Sequence, residues 1–270
     1  DFCLSRGLGD VYKRQLQKLE NISGKHLVSY VLYLQDTGKS ASTVKTDLAA
    51  IRFFHDKMSC PKYTLPTNSE LGVGLERRRF GQLDRTWSGP EFNRLLGKAM
   101  AENRDDFILA LYLGRYMGLR IHECFRIDTA AAERALRENA LTVKGKGGKV
   151  RTVPIEDERI PMMLRKLLAQ TERGHKLLVP DGMPTDRAIN ALELFIYRYR
   201  NEVSDKDSDR RLSFHGLRHT YAAEQYTKLT EDGMSAIDAH YAVSRLLGHE
   251  RADVTNIYLA SVRKRGRDGE

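Results

Sequence analysis

The sequence has few cysteines and no long apolar run. Its three cysteines, Cys3, Cys60 and Cys124, are far apart and form no CxxC pair, so the pattern predicts neither a disulfide framework nor a zinc site. No apolar run approaches the roughly 20 residues that a membrane helix needs. We therefore expect a soluble protein of a reducing compartment, the cytoplasm, with no membrane partner.

Two familiar signatures of cofactor binding are also missing. The glycine-rich segment at 145–149 lacks the GxxxxGK[ST] spacing of a phosphate-binding loop, and no helix follows it at once. No cluster of carboxylates or histidines has the spacing of metal ligands. The sequence therefore predicts a protein that uses neither a cofactor nor a metal.

The chain is strongly basic. Its 270 residues include 45 lysines and arginines against 36 aspartates and glutamates, which gives a net charge of +9 and a pI of about 9.4. Such an excess suits a polyanionic partner, because lysine and arginine release counterions when they neutralise phosphates. A merely basic surface would give the same composition, so charge alone does not decide between the two.

Hydrophobic periodicity divides the chain into three parts. Residues 1–15 have no clear period and are predicted to be a non-native or disordered leader. Residues 16–85 are predicted to form a helical domain, with one helix over 25–35, a second capped by Ser40 or Ser42, and another over 68–79. Residues 86–270 follow as a second domain.

Several polar and basic residues of the first domain are candidates for DNA contact. They lie at the turn before the second helix and in a basic triplet ahead of the domain boundary, and a solvated helix face explains each one equally well. The candidates are Lys39, Ser40, Thr43, Lys45, Arg77, Arg78 and Arg79.

The second domain opens with two predicted helices, over 89–101 and 104–117. Ser88 and Glu91 have the spacing of a capping box, and Gly118 is typical of a left-handed C-cap. Arg120 and Glu123 follow, three residues apart at the start of a new helix. Glu123 is placed to orient Arg120 by a charge-assisted hydrogen bond, although a surface ion pair has the same spacing.

A period of two marks a β-hairpin next. Residues 140–144 and 150–155 are predicted strands, and the glycine-rich tip between them carries Lys146. A lysine in this position can enter a DNA groove and deliver a proton, although an exposed turn lysine is the simpler explanation in isolation. Lys144, Lys149 and Arg151 flank the tip as further candidates for DNA contact.

The most informative stretch is 212–259. His215 and Arg218 are three residues apart at the start of a predicted helix, whose N-terminus already offers backbone N–H groups to an anion. A helix over 234–247 ends at Gly248, and His249 follows at once. Tyr258 lies on a last short helix. Each residue taken alone has an ordinary structural explanation, but together they form an ordered set.

Arginine, lysine, His-x-x-Arg, Gly-His and tyrosine in this order resemble the tyrosine recombinases, the phage integrase family. The boxes that carry the resemblance are at 118–123, 145–154, 215–220 and 247–259. The family implies a mostly α fold with a small antiparallel β-sheet. A helical core-binding N-domain of roughly four or five helices would be joined to a catalytic domain.

The resemblance and the chemistry of the residues predict a DNA strand transferase. Tyr258 would attack a phosphate and form a 3′-phosphotyrosyl link, while Arg120 and Arg218 clamp the phosphate oxygens. His215 would accept the tyrosine proton, His249 would donate to the phosphate, and Lys146 would protonate the departing 5′ oxygen. Glu123 and His219 are expected to support this set.

The resemblance also implies partners. We expect double-stranded DNA and a homotetramer on two recombination sites. A phage, a conjugative transposon, an integron-like element and chromosome-dimer resolution all fit as the setting, and we favour a mobile genetic element. No arm-binding domain is expected ahead of the core-binding helices, and a chain that ends at Glu270 is expected to curtail the exchange of a C-terminal helix between protomers. Two alternatives remain: an inactive DNA-binding accessory protein, and a type IB topoisomerase-like relaxing enzyme.

Overall fold

The computed structural model describes residues 18–76, 84–145, 148, 150–206, 208, 210–248, 255 and 258. The chain divides into two compact units, residues 1–79 and 80–270. The leader expected over 1–15 lies outside the described residues. The boundary expected near residue 85 stays a prediction. In the described part of the chain, no helix is long and apolar enough to cross a membrane.

The first unit is built on two α-helices. A single 3-10 turn, Leu19–Asn21, precedes α1 (Gly24–Asp36), and α2 (Ala41–His55) follows. Their facing sides bury leucine and valine side chains at helical spacing, as a 3.6-residue period requires. Ser40, and not Ser42, caps α2, since its side chain accepts a hydrogen bond from the Thr43 amide at 3.1 Å.

The helix predicted over 68–79 is wrong for the residues that can be seen. Residues 68–76 form turns and bends, and Gly72 has a φ of +66°, which an α-helix does not accommodate. Two α-helices are therefore present in the described part of this unit, fewer than the family resemblance implies.

The second unit is helical with one small sheet. Its helices are α3 (Gly89–Ala101), α4 (Asp105–Met117), α5 (Ile121–Cys124), α6 (Thr129–Glu138), α7 (Arg159–Leu168), α8 (Thr185–Val203), α9 (Phe214–Glu231) and α10 (Ala236–Leu247). The sheet pairs β1 (Ala140–Lys144) with β2 (Val150–Pro154) in antiparallel register, with Ala140 opposite Pro154. The predicted fold class, mostly α with a small antiparallel sheet, is confirmed.

Helix α4 is the centre of this unit. Ten of its 13 residues are buried, because residues 107–117 are largely apolar and helices α3, α5, α7 and α9 pack against them. It ends at Gly118, a left-handed C-cap with a φ of 60°. A side chain at 118 would overlap the ring of Tyr221 on α9. Glycine therefore serves both the turn and the close packing of α9 that positions the candidate site.

The beginning of α9 is fixed by Trp87. The indole Nε1 donates to the carbonyl of Ser213 at 3.0 Å, and the Trp87 amide donates to the hydroxyl of Thr220 at 2.8 Å. A Cβ at Gly216 would lie 2.5 Å from the Arg85 carbonyl oxygen, so only glycine permits this approach. The segment before α3 is thereby pinned against the first turns of α9.

Candidate active site

Three side chains of α9, those of His215, Arg218 and His219, contact Tyr258. We call these four residues the tyrosine pocket. The first three share one helix face, since they lie three and four residues apart. The hydroxyl of Tyr258 lies 3.2 Å from Nε2 of His215. The ring of His219 stacks on the tyrosine ring at 4.4 Å between centroids. Tyr258 is only 6% exposed, so these contacts hold it in one orientation.

Arg218 is fully buried beneath the tyrosine. Its guanidinium donates to the carbonyl oxygens of Gly118 and Leu247, and its carbon Cζ lies 5.6 Å from the centre of the Tyr258 ring. Both carbonyls are at helix C-termini, those of α4 and α10, where the helix dipole favours a cation. Burial lowers the pKa of Arg218 to about 10, so the side chain is still charged at neutral pH.

The two histidines of the pocket are neutral at pH 7. Burial, followed by the charges of Arg218, Arg85 and Arg120, lowers the pKa of His215 to about 4. His215 is an exposed residue, but one side of its ring packs against the rings of His219 and Tyr258, at 5.1 and 5.4 Å between centroids, and that side loses its hydration. A neutral imidazole beside the tyrosine hydroxyl can accept its proton.

His219 lies deeper than His215. It is 1% exposed, and burial, then the charges of His215, Arg85 and Arg218, lower its pKa to about 3. Its Nε2 is buried and has no hydrogen-bond partner among the described residues. The ring therefore contributes stacking to Tyr258 and carries no charge.

The second part of the site is the Glu123 junction, formed by Glu123, Arg120 and Arg151. The buried carboxylate accepts from the Arg120 amide at 2.8 Å and from its Nη1 at 3.0 Å. Arg151 of β2 donates twice to the same carboxylate, at 2.7 Å from each nitrogen. Burial alone would raise the pKa of Glu123, but the bonds from Arg151 and from the Arg120 backbone outweigh it and lower the pKa to about 2.

The predicted contact between Glu123 and Arg120 is thus confirmed. Arg151 was predicted as a DNA contact, yet its side chain is 12% exposed and its fork points at Glu123. Lys144 is exposed at the end of β1. Lys146, Lys149 and His249 lie outside the described residues, as do Arg77, Arg78 and Arg79.

In the first unit, the predicted DNA contacts take part in local bonds. Ser40 and Thr43 share the helix cap, with their hydroxyls 2.9 Å apart. Lys45 donates from Nζ to the Glu76 carbonyl at 2.6 Å, and Lys39 is exposed. Their contact with DNA stays a prediction.

Sequence reasoning missed Arg85. It lies in the segment before Trp87, where no spacing marks it, and its side chain is exposed. Its backbone carbonyl reaches Gly216, and its charge helps to lower the pKa of both pocket histidines. A positive side chain next to the first turn of α9 is a further candidate for phosphate contact.

Two solved structures that share this architecture are integrases. The Tn1549 transposon integrase, in complex with transposon right end DNA, matches with a TM-score of 0.62 at 13% identity, over 99% of this chain and 92% of that one. A lambda integrase dimer bound to a COC′ core site matches with a TM-score of 0.62 at 17% identity, over 96% of this chain and 71% of that one. These likenesses show that the fold is that of recombinases.

Sequence comparison gives the family. The phage integrase family model matches residues 91–265. Tyrosine recombinase XerD of Halalkalibacterium halodurans is 26% identical over 266 residues, which is 94% of this chain and 82% of that protein. Tyrosine recombinase XerC of Vibrio vulnificus is 28% identical over 239 residues, which is 82% of this chain and 66% of that protein. The chain belongs to the phage integrase family: it is a tyrosine recombinase, an enzyme of site-specific DNA recombination.

Proposed function

We propose that this recombinase cleaves and rejoins double-stranded DNA through a 3′-phosphotyrosyl intermediate on Tyr258. The observation that carries the proposal is the 3.2 Å approach of the tyrosine hydroxyl to Nε2 of His215, above the buried Arg218. A neutral phenol is a weak nucleophile and needs a base and an electrophile whose charge is balanced. The tyrosine pocket provides a neutral base and a cation together.

The cleavage step follows from these groups. The Tyr258 oxygen bonds to phosphorus, its proton passes to His215, and the bond to the 5′ oxygen breaks. Arg120 and Arg218 bind the non-bridging oxygens, where negative charge grows in the transition state, and each charge-assisted bond contributes about 1.5–3 kcal/mol. Lys146 protonates the leaving oxygen, and His249 donates a hydrogen bond to the phosphate.

Rejoining is the reverse reaction with a different DNA end. A 5′ hydroxyl attacks the phosphotyrosine and returns its proton to the lysine. The bond from phosphorus to the Tyr258 oxygen breaks, and that oxygen regains its proton from His215. One phosphodiester is exchanged for another, so no nucleotide triphosphate is consumed. The arginines and the lysine balance the charge at phosphorus, and we expect the reaction to proceed in the presence of a chelator.

The DNA contacts, assembly and setting complete the proposal. Exposed Lys39, Lys144 and Arg85, with the basic triplet 77–79, contact the DNA backbone, and the protein acts as a homotetramer on two sites. It works on the DNA of a mobile genetic element, in the bacterial cytoplasm at the nucleoid. The net charge of +9 supports a polyanionic partner.

Covalent trapping tests the nucleophile. Nicked suicide duplexes drawn from the DNA flanking the gene, together with a randomised pool, are mixed with the wild-type protein, Tyr258→Phe and Tyr221→Phe, with chelator present. Tyr221 is the matched control, because it is buried in the same apolar cluster as Tyr258. We expect a protein–DNA adduct with wild type and Tyr221→Phe, and none with Tyr258→Phe.

Other outcomes contradict the proposal. An adduct that survives in Tyr258→Phe would remove Tyr258 as the nucleophile. Tight binding to a flanking sequence without any adduct would favour an inactive DNA-binding protein. Relaxation of supercoiled plasmid without recombinant products would favour the topoisomerase-like reading. Sequencing the trapped DNA identifies the site and hence the element.

A further inference from the structure

Arg151 lies where three parts of the candidate site meet. It is on β2, opposite Val143 of β1, and so belongs to the base of the lysine hairpin. Its guanidinium donates two bonds of 2.7 Å to Glu123 on α5. A Cβ at Gly248 would lie 3.0 Å from its Cδ, so its side chain also packs against the C-cap of α10.

Arg151 is paired with a carboxylate that Arg120 shares. Both oxygens of Glu123 are bonded by the guanidinium, and the carboxylate is fully buried. A bidentate pair fixes the plane of both partners, as single-point contacts do not. The same carboxylate also holds the amide and Nη1 of Arg120. The orientation of Arg120 therefore depends on a carboxylate that Arg151 fixes.

Arg85 differs from Arg151 in each of these respects. Its side chain is exposed, whereas Arg151 is 12% exposed. Arg85 has no acidic partner within salt-bridge distance in the described part of the chain. An exposed arginine is suited to bind a phosphate, whereas one that is turned inward onto a carboxylate is suited to hold other groups in place.

We propose that Arg151 is a positioning residue for DNA cleavage, which fixes Arg120 through Glu123 and holds the base of the lysine hairpin against α5. The proposal rests on the proposed function of Tyr258, and it replaces the DNA-backbone contact predicted for Arg151 from the sequence. Arg151 touches neither the phosphate nor the leaving oxygen. It orients Arg120 through Glu123, and it fixes the strand that leads from the hairpin tip.

The first test separates positioning from DNA contact. DNA affinity is measured over a range of salt for wild type, Arg151→Gln and Arg85→Gln, with single-turnover cleavage at saturating DNA. For Arg151→Gln we expect an unchanged salt slope and cleavage slowed about 10- to 100-fold, because small displacements of catalytic groups have effects of this size. For Arg85→Gln we expect the slope to fall by about 1, as loss of one phosphate contact predicts.

The second test uses a leaving group that needs no proton. In a duplex with sulfur in place of the bridging 5′ oxygen, attack by Tyr258 forms the same phosphotyrosine, the tyrosine proton passes to His215, and a thiolate departs. If Arg151 places the hairpin lysine, the defect of Arg151→Gln shrinks at least about threefold on this substrate, because proton delivery is no longer required. A general loss of structure would slow both substrates equally.

Arg151→Lys is the control that separates a positioning defect from misfolding. It keeps the positive charge beside Glu123 but loses the fork, and thermal melting shows whether each variant folds. We expect Arg151→Lys to melt close to wild type and still to cleave slowly, with the same relief on the sulfur substrate.

Three results would overturn the inference: a salt slope that falls by about 1 in Arg151→Gln with cleavage at saturation unchanged, equal defects on oxygen and sulfur substrates, or wild-type cleavage by both folded variants. All three leave the adduct on Tyr258 intact and so leave the proposed function standing. If wild-type protein forms no adduct with any substrate, the proposed function fails and the inference fails with it.

Discussion

The tyrosine pocket and the Glu123 junction balance buried positive charge in different ways. Arg218 rests on carbonyl oxygens at the ends of two helices, which carry only partial charges. Arg151 and Arg120 share a full carboxylate. Arg218 is oriented by dipoles at the ends of two helices, whereas both terminal nitrogens of Arg151 are directed at the carboxylate of Glu123. We infer that the tyrosine pocket holds one phosphate-binding arginine by helix ends, whereas the Glu123 junction uses a carboxylate and Arg151 to orient the other, Arg120.

The largest expected effect is on cleavage by Arg218→Gln. Loss of one preorganised donor to a developing oxyanion slows a reaction about 10²- to 10³-fold. Stability should fall little or rise, because removal of a fully buried charge offsets the loss of its hydrogen bonds to two carbonyl oxygens. Single-turnover adduct formation and urea unfolding measure the two quantities. A strongly destabilised variant that still cleaves at nearly the wild-type rate would reverse the assignment of the two regions.

For Glu123→Gln, in contrast, we expect a large loss of stability. The substitution leaves two arginines without their shared anion, and breaking a buried pair lowers the free energy of unfolding by about 3 kcal/mol. That figure is at the low end of the range, because the Arg120 side chain is 25% exposed. Urea unfolding of Glu123→Gln, Arg151→Gln and the double variant tests the coupling. We expect the double variant to lose less than the sum by about 0.5–3 kcal/mol, and simple additivity would contradict the junction.

The smallest effect concerns pH and His219. Its folded pKa of about 3 is below the ordinary value near 6.5, so protonation favours the unfolded chain. The stability that depends on a neutral His219 is therefore fully present above pH 6.5. As the pH falls from 6.5 toward 3, the free energy of unfolding decreases by at most roughly 1.4 kcal/mol per pH unit. His219→Phe keeps a ring to stack on Tyr258 but does not titrate. Unfolding free energies between pH 7 and pH 5 should fall less steeply in this variant, and identical slopes would contradict the buried neutral histidine.

Local signals in the sequence predicted much of the second unit. The capping box of Ser88 and Glu91 forms as its spacing indicates, Gly118 adopts the left-handed C-cap, and the strands pair as the alternation of residues predicts. These features depend on neighbours a few residues away, which periodicity and capping rules describe.

Long-range partners were not predictable in the same way. Arg151 was interpreted as a DNA contact because it flanks a basic hairpin, and no local rule indicates that its partner is Glu123, on a different element. The carbonyls that hold Arg218 belong to residues 118 and 247. Because every residue has a backbone carbonyl, the amino-acid types at these positions do not indicate the contact. In the first unit, the weak helical period over 68–79 did not produce a helix in the described residues 68–76, where Gly72 and Gly74 and the preceding Pro66 disfavour one. Tertiary contacts and backbone conformation decided all three cases.

The hydrogen bonds of Arg218 to two backbone carbonyls affect how well the site tolerates changes in sequence. Its acceptors at Gly118 and Leu247 are main-chain oxygens, and every amino acid provides one. Substitutions at 247 can alter the packing of a side chain without deleting the acceptor, provided that α10 still ends at the same place. The backbone conformation therefore provides the hydrogen-bond acceptors of Arg218. In a library that varies the surrounding residues, we expect these acceptors to remain in place as long as the two helix ends are preserved.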